Sequence, residues 1–298
     1  MATKKVSMKQ MHRTDEAILD DILRSLWDEE TIRMIDFYDI SVDVEKGQVC
    51  LSGHVSKELN NFLIEKIART VPGVIAVHNH LVTDHDLNIQ VAHALAVDDR
   101  TRAFALQVYC CHGWVELEGP VPNRDIQHAA EEIAARVQVV RGVISLPEVV
   151  GEQPAPRRVA FQPHIGVRVL GNDETEGKVS QVIIDPHNRL VTHAVVRVNQ
   201  TINNWLEPGD YLVPVEIMHV VDAGGILLSH HAAAINQFPI LNSTDYPIAP
   251  LTWLPPYPYV VGNVRWARIE QPKVEKQFAL DVMKEKIESK ISQIKSQI

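Results

Sequence analysis

The stretch Val49-Cys50-Leu51-Ser52-Gly53-His54-Val55 occurs a second time in the chain, as Val115-Glu116-Leu117-Glu118-Gly119-Pro120-Val121. The two copies lie 66 residues apart, and Gly47 and Gly113 upstream keep the same spacing. Repeats of this kind are typical of a structural module that occurs twice. A module this short buries only a modest core, so we expect the copies to pack on each other or on a neighbour. The first half of the chain is therefore predicted to fold as two copies of one module.

Each copy is predicted to have the order helix, strand, strand, helix, strand. The Lys46-Gly47 pair is typical of a tight turn between the first two strands. The helix faces are marked by apolar residues at a spacing of four: Ile18, Ile22 and Leu26; Val91 and Leu95; and Leu59, Leu63 and Ile67 in a helix over residues 56–71. The segment Gly73-Val74-Ile75 returns as Gly142-Val143-Ile144 at a spacing of 69 residues. We therefore place a three-residue insertion late in the second helix of the second copy.

The pattern of a strand with Leu-x-Gly-x-Val, an amphipathic helix and then Gly-Val resembles the BON domain. The resemblance covers residues 13–84 and 85–150 as two BON-like α-β-β-α-β modules. It implies a bacterial family of stress-response and envelope proteins that is associated with phospholipid or membrane surfaces, without catalysis. We interpret Gly53 and Gly119 as points of close backbone approach. Gly73 and Gly142 are interpreted as left-handed ends of the second helix.

Short apolar strands with polar turns follow the repeats and predict a small all-β barrel. Residues 151–161 contain prolines without apolar periodicity and are predicted to be a linker. Within residues 162–235, Ile165-Gly166, Gly177-Lys178-Val179 and Val213-Pro214-Val215-Glu216 are similar to the PRC-barrel family. The similarity implies a PRC-type barrel that docks on an unidentified protein partner. It transfers no activity, because function has to be argued from a site.

Residues 236–270 are rich in proline and aromatic side chains, which disfavours both a helix and a central strand. This extended arm has three open interpretations. Its aromatic residues pack over the barrel, contact a lipid interface or a partner, or form a polyproline ligand for another domain.

Residues 271–298 are predicted to form one amphipathic helix, with Pro272 suited to its start. The apolar face consists of Leu280, Met283, Ile287, Ile291, Ile294 and Ile298. Lys284, Lys286 and Lys290 are the candidate contacts for lipid headgroups. The sequence leaves self-assembly, membrane-surface binding and docking on the same chain as alternatives.

The composition excludes several classes of protein. A formal charge of −9 argues against a nucleic-acid partner, because phosphate contacts need clustered cations. Three cysteines without a Cys-x-x-Cys pair predict neither a disulfide framework nor a redox role. No apolar run reaches the roughly 20 residues of a membrane span. Residues 1–12 are predicted to be disordered and show no secretory signal, so we expect a cytoplasmic chain that associates peripherally with a membrane.

No residue is predicted to be catalytic or to bind a cofactor or a metal. The weak metal candidates are His78, His80 and His85, because alternate residues of a strand share one face. The overall prediction is an α+β multidomain, non-enzymatic adaptor at a membrane surface or on a membrane-bound complex. The alternative is a cytoplasmic scaffold that self-assembles into a homo-oligomer and binds no lipid.

Overall fold

A computed structural model describes residues 13–171, 175–199, 208–220, 225–229 and 235–267. These residues fall into two compact units. The first unit extends to Arg157 and includes residues 256–258, and the second comprises the other described residues from Arg158 onward. The predicted helix over 271–298, and with it every residue named on its two faces, lies outside the described residues.

The first unit contains both repeats, and each repeat has two helices and a three-stranded core sheet. The first repeat consists of α1 (Asp15–Asp28), β1 (Ile40–Glu45), β2 (Gln48–Val55), α2 (Glu58–Thr70) and β3 (Ala76–Thr83). The second consists of α3 (Asp84–Val97), β4 (Gln107–Cys111), β5 (Trp114–Glu118), β6 (Pro120–Val121), α4 (Arg124–Arg136), β7 (Gly142–Ser145) and β8 (Glu148–Val149). The strand orders are β1-β2-β3 and β4-β5-β7, and β6 pairs separately with β8. In each repeat the first two strands form a hairpin and the third lies parallel to the second.

The predicted face of α1 is confirmed, because Ile18, Ile22 and Leu26 are buried. The predicted face of α2 is right in part, because Leu63 and Ile67 pack against the core of the repeat. The buried row of α2 is Asn60, Ile64 and Ala68, whereas Leu59 is 72 % exposed.

The reason for the different α2 face is a buried polar contact. The side-chain amide of Asn60 donates to Asp36 Oδ2 at 2.5 Å. A buried carboxylate needs hydrogen-bond donors. The spacing of apolar residues cannot predict which polar side chain is buried to provide them.

The length difference between the repeats lies before the first strand. α2 and α4 are equal in length and 66 residues apart, so the predicted insertion within the second helix is wrong. The bond from Ile75 N to Gly47 O, 2.8 Å, recurs from Arg141 N to Gly113 O at 2.8 Å. This register equates Gly142 with Ala76, and Gly142 accordingly opens β7 instead of ending a helix.

The extra three residues belong to the connection between α1 and β1 in the first repeat. This connection, residues 29–39, contains a π-helical turn (Ile32–Asp36) and a 3₁₀ turn (Phe37–Asp39). A π-helical turn commonly marks an insertion at a functional position. We call residues 29–39 the insertion segment.

The second unit is a curled sheet that forms a half-barrel. Its strands are β9 (Arg168–Leu170), β10 (Glu176–Ile184), β11 (Val191–Val198), β12 (Gly209–Pro214), β13 (Met218–Val220), β14 (Ile226–Leu228) and β15 (Val264–Trp266). The order is β12-β11-β10-β9-β14-β13, with β15 parallel to β10. The core side chains come from both the strands and the proline-rich segment, including Phe238, Ala249 and Tyr259.

The proline-rich segment therefore contributes to the half-barrel core. Tyr259 donates its hydroxyl hydrogen to Pro163 O at 3.0 Å, and Trp253 packs edge-on against Trp266 with ring centroids 5.7 Å apart. These contacts agree with the interpretation in which the aromatic residues pack over the sheet. Among the described residues, no helix is both long and apolar enough to cross a membrane.

Candidate functional site between the two repeats

The site begins at a tight turn that both repeats share. Lys46-Gly47 in the first repeat and His112-Gly113 in the second all have positive φ, between 48° and 83°. Two successive residues with positive φ are typical of the type I′ turn that matches the twist of a hairpin. The turn therefore places His112 at the tip of the β4–β5 hairpin.

An aspartate at the start of a helix holds each turn. In the first repeat, Asp15 accepts from Lys46 N and Gly47 N at 2.7 and 2.8 Å. In the second, Asp84 accepts from His112 N at 2.6 Å. Because the carboxylate also lies at a helix N-terminus, where negative charge is favoured, the contact joins the first helix of each repeat to its hairpin.

The insertion segment of the first repeat brings two more carboxylates to the second repeat's turn. Asp39 Oδ2 lies 2.7 Å from His112 Nδ1, and Arg141 Nη1 donates to Asp39 Oδ1 at 2.5 Å. Arg141 also donates to His112 O at 3.2 Å and lies over the Trp114 ring, 5.1 Å from its centroid. Asp39 thus joins the two repeats through two cationic partners.

Asp36 is fully buried beside the same turn. It accepts from Ser56 N at 2.8 Å and from Asn60, and its Oδ1 lies 3.9 Å from His112 Nε2. Donors from the start of α2 therefore hold this carboxylate in place independently of the second repeat.

His54 packs against the turn from β2. A Cβ added to Gly113 would lie 2.6 Å from the His54 ring and 2.7 Å from Arg141 Cδ, so only glycine allows this approach. His54 is 3 % exposed, and its Nδ1 has no hydrogen-bond partner among the described residues. We name Asp36, Asp39, His54, Asp84, Cys111, His112 and Arg141 the inter-repeat cluster.

The cluster shifts the pKa values of its members in opposite directions. The Asp39 carboxylate raises the pKa of His112 despite partial burial. Burial tends to raise the pKa of Asp39, but His112 and Arg141 outweigh it and lower that pKa. Burial, with the nearby Arg141 charge, lowers the pKa of His54 to about 3. The arrangement favours a charged Asp39–His112 pair beside a neutral His54.

Asp84, Cys111 and His112 offer three different ligand atoms, all within 4.8 Å of one another. Burial raises the pKa of Asp84, and burial together with the Asp84 charge raises the pKa of Cys111. Cys111 is exposed, and it lines a surface depression of about 340 Å³ that also includes Tyr109, Cys110, Glu116 and Glu118. Solvent and small solutes therefore reach one side of this group.

The histidines singled out in the sequence do not join this group. His78 and His80 are exposed on β3, and His85 is exposed in the first turn of α3. Among the described residues, the combination that could hold a metal ion is Asp84, Cys111 and His112.

The glycines that the sequence analysis interpreted as structural differ in backbone conformation and in the space around them. Gly53 and Gly119 both have φ of +116°, and a Cβ there would collide with the carbonyl oxygens of Asp39 and Ala105 respectively. Gly73, with φ +99°, lies in the turn after α2. Gly166 has positive φ in open space, whereas Gly177 lies in β10 against Val196.

Sequence reasoning missed Asp39, His112 and Arg141, although one signal was present. Glu45 and Lys46 of the first repeat are replaced by Cys111 and His112 at the same turn of the second. A change from a charged pair to two metal-binding residue types, inside an otherwise regular repeat, marks that turn as different.

The outer side of the insertion segment carries exposed apolar side chains. Met34 is 73 % exposed and Tyr38 70 % exposed. Trp27, Phe37 and Tyr38 form an edge-on triad with centroid separations of 5.1 to 6.4 Å. We name Trp27, Met34, Ile35, Phe37 and Tyr38 the Trp27 patch. The same short segment thus presents carboxylates to the second repeat and apolar groups to solvent.

Comparison with known families agrees with the repeat. The family model described as "BON domain" matches residues 14–85 and 83–151, two tandem matches that coincide with the two repeats. The search of curated proteins gave no match.

Two solved structures show a remote likeness. One is CdsD, a structural protein of the type III secretion system of Chlamydia trachomatis, at 15 % identity and a TM-score of 0.29, covering 37 % of this chain and 49 % of that chain. The other is the C-terminal domain of the same protein, at 16 % identity and a TM-score of 0.28, covering 38 % and 54 %. The chain spans about half the length of these structures.

Proposed function

We propose that this chain is a non-enzymatic adaptor whose BON pair binds a phospholipid surface through the Trp27 patch. The observation that carries the proposal is the exposure of Trp27, Met34, Ile35 and Tyr38 on one short segment of the first repeat. Contiguous exposed apolar side chains mark interaction surfaces. Tryptophan and tyrosine are favoured at membrane interfaces because their rings combine an apolar body with a polar edge.

The charges around the patch favour apolar insertion over electrostatic attraction. Arg33 lies over the Trp27 ring, 5.9 Å from its centroid, and donates to Trp27 O at 2.9 Å. Asp28, Glu29 and Glu30 follow Trp27 directly, so the surface has no excess of cations. Binding through this patch therefore depends little on anionic lipid or on salt.

Liposome flotation of the full chain on neutral vesicles tests the proposal. Met34→Ser combined with Tyr38→Ser removes two of the most exposed patch residues without touching the buried core. We expect the variant to partition onto the vesicles roughly tenfold more weakly than the wild type, because apolar area is lost from the inserted surface. The comparison is made from the bound fractions at limiting lipid.

A matched pair provides the control. Ile89 and Tyr109 of the second repeat are 54 % and 50 % exposed, and Ile89→Ser with Tyr109→Ser should leave flotation unchanged. If the patch variant floats like the wild type while Lys284→Glu with Lys290→Glu does not float, the tail binds lipid and the proposal is wrong.

In this proposal the second unit docks a protein partner. Its curled half-barrel sheet carries an apolar core, and we assign to it the protein-docking role that the PRC-barrel resemblance implies. The scaffold alternative predicts self-assembly without lipid. Light scattering of Ile287→Asp with Ile291→Asp distinguishes it, because a scaffold held together by that face would lose mass.

A further inference from the structure

We infer that Asp84, Cys111 and His112 form a binding site for a zinc-like divalent metal ion at the joint between the two repeats. The donor set is one carboxylate, one thiol and one imidazole, with all ligand atoms within 4.8 Å of one another. Zinc binds all three donor types, and a thiolate with an imidazole selects borderline-soft transition metals over Mg²⁺ and Ca²⁺.

The protein positions the donors without an ion. Asp84 is held at the start of α3 by His112 N, 2.6 Å from its Oδ1, and each carboxylate oxygen can accept more than one contact. Cys111 and His112 are consecutive at the end of β4 and in the turn. A site built on a helix start and a tight hairpin loses little conformational freedom when an ion binds.

The imidazole also has the outer partner that metal-binding histidines usually have. Asp39 Oδ2 lies 2.7 Å from Nδ1 of His112, so an ion that binds at Nε2 releases the Nε2 proton to solvent while Nδ1–H keeps its contact with Asp39. Carboxylates in this position orient the ring and increase its basicity. Arg141 is bound to the opposite oxygen of Asp39 and fixes that carboxylate in turn.

The local charge favours a cation. Asp36 and Asp84 both lie beside His112, with Asp36 Oδ1 3.9 Å from Nε2. Two cations near the site are already paired with carboxylates: Arg141 is bound to Asp39, and Arg157 is bound to Glu116. The depression next to Cys111, lined also by Glu116 and Glu118, provides an acidic entry path.

The first repeat provides an internal comparison. Its equivalents of Asp84, Cys111 and His112 are Asp15, Glu45 and Lys46, around a turn of the same geometry. The turn and its aspartate are therefore structural in both repeats, whereas the Cys-His pair is particular to the second. Only the second turn combines donors that suit zinc.

The experiment is isothermal titration of the untagged, chelator-treated full chain with ZnCl₂, together with Co²⁺ absorption spectroscopy. We expect saturable binding of one ion at this site, and a thiolate-to-Co²⁺ charge-transfer band. Cys111→Ser should abolish that band and weaken Zn²⁺ binding at least about tenfold, and Asp39→Asn should weaken it about tenfold.

Matched variants keep the result interpretable. Cys110→Ser changes the neighbouring thiol, and His78→Ala with His80→Ala removes exposed imidazoles, so both should bind like the wild type. Because Cys111 is exposed, its serine variant keeps the fold, which circular dichroism verifies. Absence of saturable binding, or binding that Cys111→Ser leaves unchanged, would overturn the inference. Either result leaves the flotation test of the Trp27 patch unaffected.

Discussion

Replacing Asp39 should uncouple the two repeats. Asp39 contacts Arg141 and His112, and the side chains of Asp39 and Arg141 are 22 % and 10 % exposed. Two unit charges about 4 Å apart interact with about 4 kcal/mol at an effective dielectric constant of about 20. Because part of this gain offsets the cost of desolvating both groups, we expect Asp39→Asn to destabilise the first unit by about 3 kcal/mol.

The coupling itself is measured by a double-mutant cycle with Arg141→Met. Removing one partner leaves the other charge buried, whereas removing both leaves no unpaired charge. The double variant should therefore be more stable than the sum of the single effects predicts, by about 2 kcal/mol.

The assay is native-state hydrogen exchange of the full chain in the presence of a chelator. Exchange reports the opening free energy of each region, so α1 to α4 are measured separately from the second unit. As a control, Arg102→Gln removes an exposed ion pair with Asp99 and should change protection by less than about 0.5 kcal/mol. Additive effects of Asp39→Asn and Arg141→Met, within about 0.5 kcal/mol, would refute the reasoning.

Three other perturbations test the first unit. The pKa of His54 is lowered to about 3 from the usual 6.5, so only the unfolded state gains a proton between these values and stability falls as pH falls below 6.5. His54→Phe should lessen that loss by up to about 1.4 kcal/mol per pH unit, measured by hydrogen exchange at pH 6 and pH 4; an unchanged pH dependence would contradict burial of the neutral ring. Gly53→Ala should lower the free energy of unfolding by about 3 kcal/mol, because φ is +116° and the new Cβ would meet the Asp39 carbonyl. A loss below about 1 kcal/mol in urea unfolding would show that the strand relaxes. Ile64→Ala should lower the opening free energy of α2, measured by hydrogen exchange, by about 3 kcal/mol, and Leu59→Ala by less than about 0.5 kcal/mol. The reverse order would support the α2 face that periodicity predicted.

Local sequence patterns predicted the parts of the fold that depend on near neighbours. The recurrence of the strand around Gly53 and Gly119 predicted the duplication, and the spacing of Ile18, Ile22 and Leu26 predicted the buried face of α1. The Lys46-Gly47 pair predicted the hairpin turn. These features follow from backbone periods and from glycine's conformational range, which a single sequence displays directly.

The same patterns failed where a polar contact or a chain register decided the outcome. The buried row of α2 includes Asn60, because its side-chain amide donates to Asp36 of the insertion segment. Local similarity equated Gly142 with Gly73. The bond from Arg141 N to Gly113 O instead shows that Gly142 corresponds to Ala76, three residues further along the first repeat. A hydrogen bond between distant residues leaves little trace in the apolar periodicity of either segment.

Thus the sequence by itself determined the two BON-like repeats, their helices and hairpins, and the strand-rich character of the second half. Only the tertiary structure decided that the insertion segment brings Asp36 and Asp39 to His112, which lies more than 70 residues away in the chain. The physical reason is that periodicity reports whether a residue faces the core. Which charged groups meet depends on how the two repeats pack, and that depends on all their surfaces together.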